Sequence, residues 1–162
     1  MPSTEASTTV ASIIPEVGSD LVAAVRAGLP YAAVEQLQNH LEAPDALLAR
    51  AIGISPRTLS RRREKGKLTT GESDRLVLLA EVVGLARRAL GSEEGAREWL
   101  STSHSMLGGE SPLGHMDTVA GMEEVKRCFT IPSMASPRRP PSAGSGSRLF
   151  RITEVSLDFS PG

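Results

Sequence analysis

Apolar residues recur every three or four positions through the middle of this chain, which is the period of one helix face. Ser19 is placed to cap a helix over Asp20 to Ala27, closed by Gly28, and Leu29-Pro30 starts another that runs to about Leu41. Ala33, Val34, Leu37 and Leu41 make the buried stripe of that second helix. Pro44 opens a third helix, and Ser55-Pro56 opens a fourth with an N-cap hydroxyl followed by proline at the first helical position. The fourth ends near Lys65-Gly66. Thr69-Thr70-Gly71-Glu72 reads as a capping box and launches the longest helix, Thr70 to Leu90, stopped by Gly91. Ser92 caps a helix carrying Ala96, Trp99 and Leu100, and a loop follows from Ser101 to Glu110. Ser111-Pro112 repeats the cap-and-proline start for a short helix through Met116. Asp117 or Thr118 caps a last helix with Met122, Val125 and Phe129, which Pro132 ends. The fold class is all-α.

Two of these segments say more than their type. In the long helix, Leu76, Leu79, Val83 and Leu90 form one stripe, and Val77, Leu78 and Val82 widen it past half the circumference. Such a helix is buried on two sides. Two arrangements satisfy it, a second copy packed against it or a central position in a monomer's core. The other segment is Asp45 to Glu64, DALLARAIGISPRTLSRRRE, which reads as a helix-turn-helix. Ala49 is small where the second helix crosses the first. Gly53 sits where the turn needs positive φ. Leu48, Ile52, Ile54 and Leu59 face inward. The second helix carries Arg57, Thr58, Ser60, Arg61, Arg62 and Arg63, a basic and hydroxyl-bearing set suited to a DNA major groove. The bland alternative is a solvated helix pair with a charged face. Arg62 falls at a position that is ordinarily apolar, and the expectation is that its stem packs while its head reaches out.

Charge sharpens the DNA reading. The whole chain carries a net charge of −1. Between Asp45 and Lys67, however, seven basic residues face only Asp45 and Glu64, an asymmetry expected of phosphate contact. Composition adds bounds. Of five aromatics, Phe150 and Phe159 lie in the last thirteen positions, so the core is mainly aliphatic, which favours helices. The single Cys128 allows no internal disulfide and suits a reducing cytoplasm. The first twenty-five residues lack Lys and Arg, so no charged start of a signal peptide is expected, and no apolar run suggests a membrane span. From Pro132 to Ser147, eleven of sixteen residues are Pro, Ser or Gly, which reads as a flexible linker. The segment after it, RLFRITEVSLDF, alternates like a strand without a partner strand.

Active-site chemistry is hard to assemble. His40, His104 and His115 do not fall at metal-ligand spacing, so no metal or other cofactor is expected. Ser111 or Cys128 with a distant histidine is a nucleophile pair of the kind any chain offers. Leu107-Gly108-Gly109-Glu110 follows no strand and has no phosphate-loop lysine. No catalytic residue is assigned.

The ordered run of motifs resembles a known family. Gly53-Ile54-Ser55-Pro56-Arg57-Thr58-Leu59, Arg61-Arg62, Gly66-Lys67-Leu68 and Glu72-Ser73-Asp74-Arg75-Leu76 look like the Xre/MbcA/ParS-like antitoxins of RES–Xre toxin–antitoxin pairs. The resemblance continues through Ala96 to Thr102, Leu107-Gly108-Gly109, Ser111-Pro112-Leu113, Asp117-Thr118 and Ala120-Gly121, covering roughly Leu29 to Arg127. It implies an Xre-like helix-turn-helix domain followed by a small helical domain that binds a NAD-destroying RES-domain toxin. It also implies a homodimer that represses its own promoter on operator DNA. Carried onto this sequence, Arg57, Thr58, Ser60 and Arg61 would face DNA bases, with Arg50, Arg63, Lys65 and Lys67 nearer phosphates. Leu107, Gly108, Gly109, Pro112, Leu113, Thr118, Gly121 and Val125 would make the toxin-binding domain, with Trp99 in its core.

The expected division is a disordered tail over residues 1–18, the helix-turn-helix domain over 19–68, the toxin-binding domain over 69–130, and an atypical flexible tail over 131–162. Two departures from the family pattern stand out. Ser103 replaces a proline. From Cys128 the chain leaves the family's basic terminal segment for Phe129-Thr130-Ile131-Pro132 and the linker, as a frame change or a recent tail replacement would leave it. The competing functional reading is a stand-alone transcription regulator whose C-terminal domain only dimerises. An enzyme of unknown type is the third.

Overall fold

The computed structural model describes residues 10–15 and 20–130. Among these residues the secondary structure is helical, apart from an isolated antiparallel bridge between Pro30 and Lys67. The helices are α1 (Leu21–Ala27), α2 (Tyr31–Leu41), α3 (Asp45–Ile52), α4 (Pro56–Lys65), α5 (Thr70–Leu90), α6 (Glu93–Ser101), α7 (Pro112–His115) and α8 (Val119–Thr130). A 3-10 turn at Ser105–Leu107 lies between α6 and α7.

The local signals act as the chemistry requires. The Ser55 hydroxyl accepts from the Thr58 N–H at 3.1 Å, and Pro56 begins α4. Thr69 and Glu72 form both halves of the capping box on α5. The Ser92 and Ser111 hydroxyls cap α6 and α7, and the Thr118 hydroxyl accepts from the Gly121 N–H at 3.0 Å at the start of α8. One cap differs from expectation. Asp20, not Ser19, caps α1, its carboxylate accepting from the Ala23 N–H at 3.0 Å; Ser19 lies outside the described residues.

α5 is the central pillar. It packs against α1, α3, α6 and α8. Its apolar residues Leu76, Leu79, Ala80, Val82, Val83 and Ala86 are buried within the single chain. Most of the wide apolar face is therefore covered by the chain's own helices, with Leu78 and Leu90 left half-buried. α5 lies within the expected 69–130 domain, yet it also packs into the helix-turn-helix domain. Near its start, the buried Ser73 hydroxyl accepts from the Leu29 N–H at 2.9 Å and the Thr70 hydroxyl donates to the Arg26 carbonyl. Further along, Glu81 takes Lys126 of α8 at 3.0 Å.

Residues 10–15 part from the loose N-terminal tail expected over residues 1–18. Residues 10–13 are helical, and Val10, Ile13 and Ile14 are among the most buried side chains in the core. Their spacing, i, i+3 and i+4, is itself a one-turn helix face, too short to stand out in sequence. The rest of that tail and the whole 131–162 segment, with its strand-like stretch, lie outside the described residues.

Candidate functional site

Gly53 sets the turn between α3 and α4 with φ +79°, and its N–H closes α3 on the Ala49 and Arg50 carbonyls. A β-carbon there would sit 2.9 Å from the Arg75 guanidinium, so the turn rests flat on α5 as well as needing a left-handed residue. Leu59 anchors α4 in the core. That leaves Arg57, Ser60 and Arg61 exposed, and their spacing, i, i+3 and i+4, puts them on one outward face. Among the described residues no carboxylate pairs with Arg57 or Arg61. Thr58 is half-buried, with its hydroxyl 3.0 Å from that of Ser55, and the Ser60 hydroxyl donates to the Pro56 carbonyl. Lys65 and Lys67 are exposed at the far end of α4.

The other basic residues are already engaged. The Arg63 guanidinium lies 5.4 Å over the Tyr31 ring and 3.3 Å from the Asp45 carboxylate. Arg50 pairs with Asp117 at 3.2 Å. Arg62 corrects the expectation that its head reaches out. Its Nε donates to both oxygens of Glu72, at 3.0 and 2.8 Å, and the two side chains are only 16% and 10% exposed. Glu72 Oε2 also accepts the Thr69 N–H at 2.9 Å. Burial alone would raise the Glu72 carboxyl. The Thr69 N–H and the Arg62 guanidinium outweigh it and hold the carboxyl below its usual range. The pair fixes the recognition helix against α5. The signal was present in the sequence, as a charged residue at an inward position with a capping-box glutamate ten residues on. What the sequence lacked was the geometry that joins them.

The second expected surface is the toxin-binding set from Leu107 to Val125. Its loop is closed by the His104 N–H on the Glu110 carbonyl and the Gly109 N–H on the His104 carbonyl, both at 3.0 Å. Gly108 and Gly109 have φ of +66° and +85°, and space is open around both. Leu107, Pro112, Leu113, Gly121 and Val125 are buried, so in this chain they build the domain and present no side chain outward. A β-carbon on Gly121 would lie 1.9 Å from the His115 carbonyl, which explains that glycine by packing. Thr118 is exposed beside Gly108 and Gly109 in the expected set. Met106 and Val119, neighbours of this set in sequence, are about half exposed, and exposure of an apolar residue is not written in its type. Trp99 packs between His104 and Phe129, with ring centroids 4.7 and 4.5 Å away.

His115 clasps this region. Its two ring nitrogens face Glu124 at 2.7 Å and Glu110 at 3.2 Å, and these carboxylates raise its pKa above the ordinary histidine value. His40 pairs instead with Glu93, and the His104 ring bonds the Trp99 carbonyl. Neither nucleophile candidate is activated. Ser111 caps α7, and burial pushes the Cys128 thiol up. No described helix is long and apolar enough to cross a membrane.

Known proteins match this sequence along most of its length. Residues 20–81 match the antitoxin Xre-like helix-turn-helix domain, and residues 85–128 match the antitoxin Xre/MbcA/ParS C-terminal toxin-binding domain. An Antitoxin Xre of Yersinia enterocolitica is 33% identical over 110 residues, which cover 67% of this chain and 74% of that protein. One of Photorhabdus laumondii is 32% identical with the same coverage. This is a regulatory family and not an enzyme family. The chain belongs to the Xre antitoxins, with a helix-turn-helix domain in its N-terminal half and a toxin-binding domain of the Xre/MbcA/ParS type in its C-terminal half.

Proposed function

We propose that this chain neutralises a NAD-degrading RES-domain toxin by occlusion and represses its own promoter by binding operator DNA as a homodimer in the cytoplasm. The carrying observation is the exposed face of α4, where Arg57 and Arg61 stand without a carboxylate partner among the described residues. Arg57, Thr58, Ser60 and Arg61 meet base edges, while Lys65 and Lys67 meet phosphates. Arg50 and Arg63 join them once released from Asp117 and Asp45. The toxin is held by the exposed parts of the second domain, Gly108, Gly109 and Thr118, extended by Met106 and Val119. Leu107, Pro112, Leu113, Gly121 and Val125 hold that surface in shape. The antitoxin contributes no chemistry of its own. The toxin class rests on the ordered motifs from Gly53 to Gly121.

Arg61→Ala separates the two activities. It is expected to weaken operator binding by about 1–3 kcal/mol. Rescue of growth and of intracellular NAD in cells expressing a RES-domain protein encoded beside this chain should be unchanged. Normal operator binding by Arg61→Ala would overturn the assigned orientation of α4. Loss of NAD despite abundant folded antitoxin would overturn the toxin assignment.

A further inference from the structure

Arg50 belongs to the first helix of the DNA-binding pair, and the carboxylate that holds it comes from the other domain. Asp117 is the residue before Thr118, which caps α8, and its Oδ2 lies 3.2 Å from Arg50 Nη2. Its backbone is fixed as well. The Asp117 carbonyl accepts from Arg75 Nη1 at 2.9 Å, and that same guanidinium lies directly beneath Gly53 in the helix-turn-helix turn. α3 also packs against α7, which leads into this corner. The carboxylate is thus presented to Arg50 by a built corner and not by a floating side chain. Both side chains stay open to solvent, at 53% and 40% exposed, so an incoming phosphate can reach the arginine.

We infer that Asp117 acts as an internal phosphate mimic, an autoinhibitory contact through which the toxin-binding domain restrains the DNA-binding domain. This rests on the reading that α3 and α4 bind DNA and that Arg50 meets a phosphate. A carboxylate and a phosphate oxygen offer a guanidinium the same charge-assisted acceptor, so they compete for it. DNA must displace Asp117 to gain the Arg50 contact, and the affinity it forgoes is what the pair is worth. Exposed pairs of this kind are worth little, which sets the restraint at no more than about fivefold in affinity. Arg63 and Asp45 form a similar exposed pair, but both come from the DNA-binding half and link nothing across the molecule. Asp117 instead stands at the start of the helix assigned to toxin contact, where a bound partner reaches it.

The test is a double-mutant cycle on the full chain, using fluorescence anisotropy with a labelled mixed-sequence duplex at low salt. Phosphate contact is independent of sequence, so no operator is needed. Asp117→Asn keeps the carbonyl that Arg75 holds, and Asp117→Ser repeats the test if the first variant folds poorly. Asp117→Asn should bind the duplex up to about fivefold more tightly than the parent. In an Arg50→Ala background the same change should gain nothing. Equal gains in both backgrounds would reduce Asp117 to a nearby negative charge and overturn the inference, as would no gain in either. A parent chain and variants that all fail to bind DNA would overturn the helix-turn-helix reading itself, an outcome distinct from a cycle that closes at zero.

Discussion

Replacing Arg62 by methionine tests the contact that fixes the recognition helix. Methionine keeps an unbranched apolar stem and removes the charge that both Glu72 oxygens accept. Glu72 is then left nearly buried, with only the Thr69 N–H to satisfy it. Removing one partner of a buried pair costs about 3–5 kcal/mol, and the residual exposure of 16% and 10% lowers this to about 2–4 kcal/mol. Arg63→Met is the internal comparison. Its pair with Asp45 is 48% exposed on both sides, and such pairs contribute only about 0–1 kcal/mol. The double change Arg62→Met with Glu72→Gln should recover most of the loss, because glutamine at that position still completes a capping box. Urea unfolding reads the difference as a shift of midpoint at unchanged slope. The sign with pH follows from the depressed Glu72 carboxyl. Its contribution is present above the unfolded value of about 4.3 and is lost as pH falls through the lower folded value, so parent and Arg62→Met converge in acid. An Arg62→Met protein as stable at neutral pH as Arg63→Met would refute the reasoning.

Other perturbations probe the remaining parts of the account. Gly121→Ala forces a β-carbon to 1.9 Å from the His115 carbonyl, and overpacking of this kind costs about 1–3 kcal/mol. Because the clash is with backbone and not with a flexible side chain, the cost falls toward the upper end and outweighs the ~1 kcal/mol of helix propensity gained, so a thermal melt should show a net loss. Ile13→Ala should destabilise by about 2–5 kcal/mol, as expected of a buried isoleucine and not of a loose tail; denaturant titration decides. His115 has its pKa raised by Glu124 and Glu110, so the stability it contributes is full below about 6.5 and falls as pH rises through the folded value. His115→Gln should remove that slope, leaving stability flatter across neutral pH in calorimetry.

Helix starts and stops were legible because each is a short-range chemical event. Ser55-Pro56, Thr69 with Glu72, and Gly53, Gly66 and Gly91 carry their reasons in their own side chains, or in having none. The outward face of Arg57 and Arg61 was legible for the same reason, since Leu59 fixes the phase of one short helix. Contacts between distant segments were not legible. Arg62 to Glu72, Arg75 to the Asp117 carbonyl and Arg50 to the Asp117 carboxylate depend on how helices are set in space, and no spacing rule reports that. The second surface suffered most. Motif residues such as Leu113 and Val125 mark a domain by building its core, so the motif pointed to the region while the exposed side chains beside it, Met106 and Val119, went unmarked. α5 shows the converse limit. Its apolar circumference stated that it must be covered on two sides, but not whether its own chain would do so.

The central claim is that this chain stops a RES-domain toxin from consuming NAD. Its most direct test is NAD turnover by the purified toxin as the full chain is titrated in. The account predicts that turnover falls to background at a fixed ratio of the two proteins and that Arg61→Ala inhibits as well as the parent. Turnover unchanged at a large excess of folded chain would contradict it.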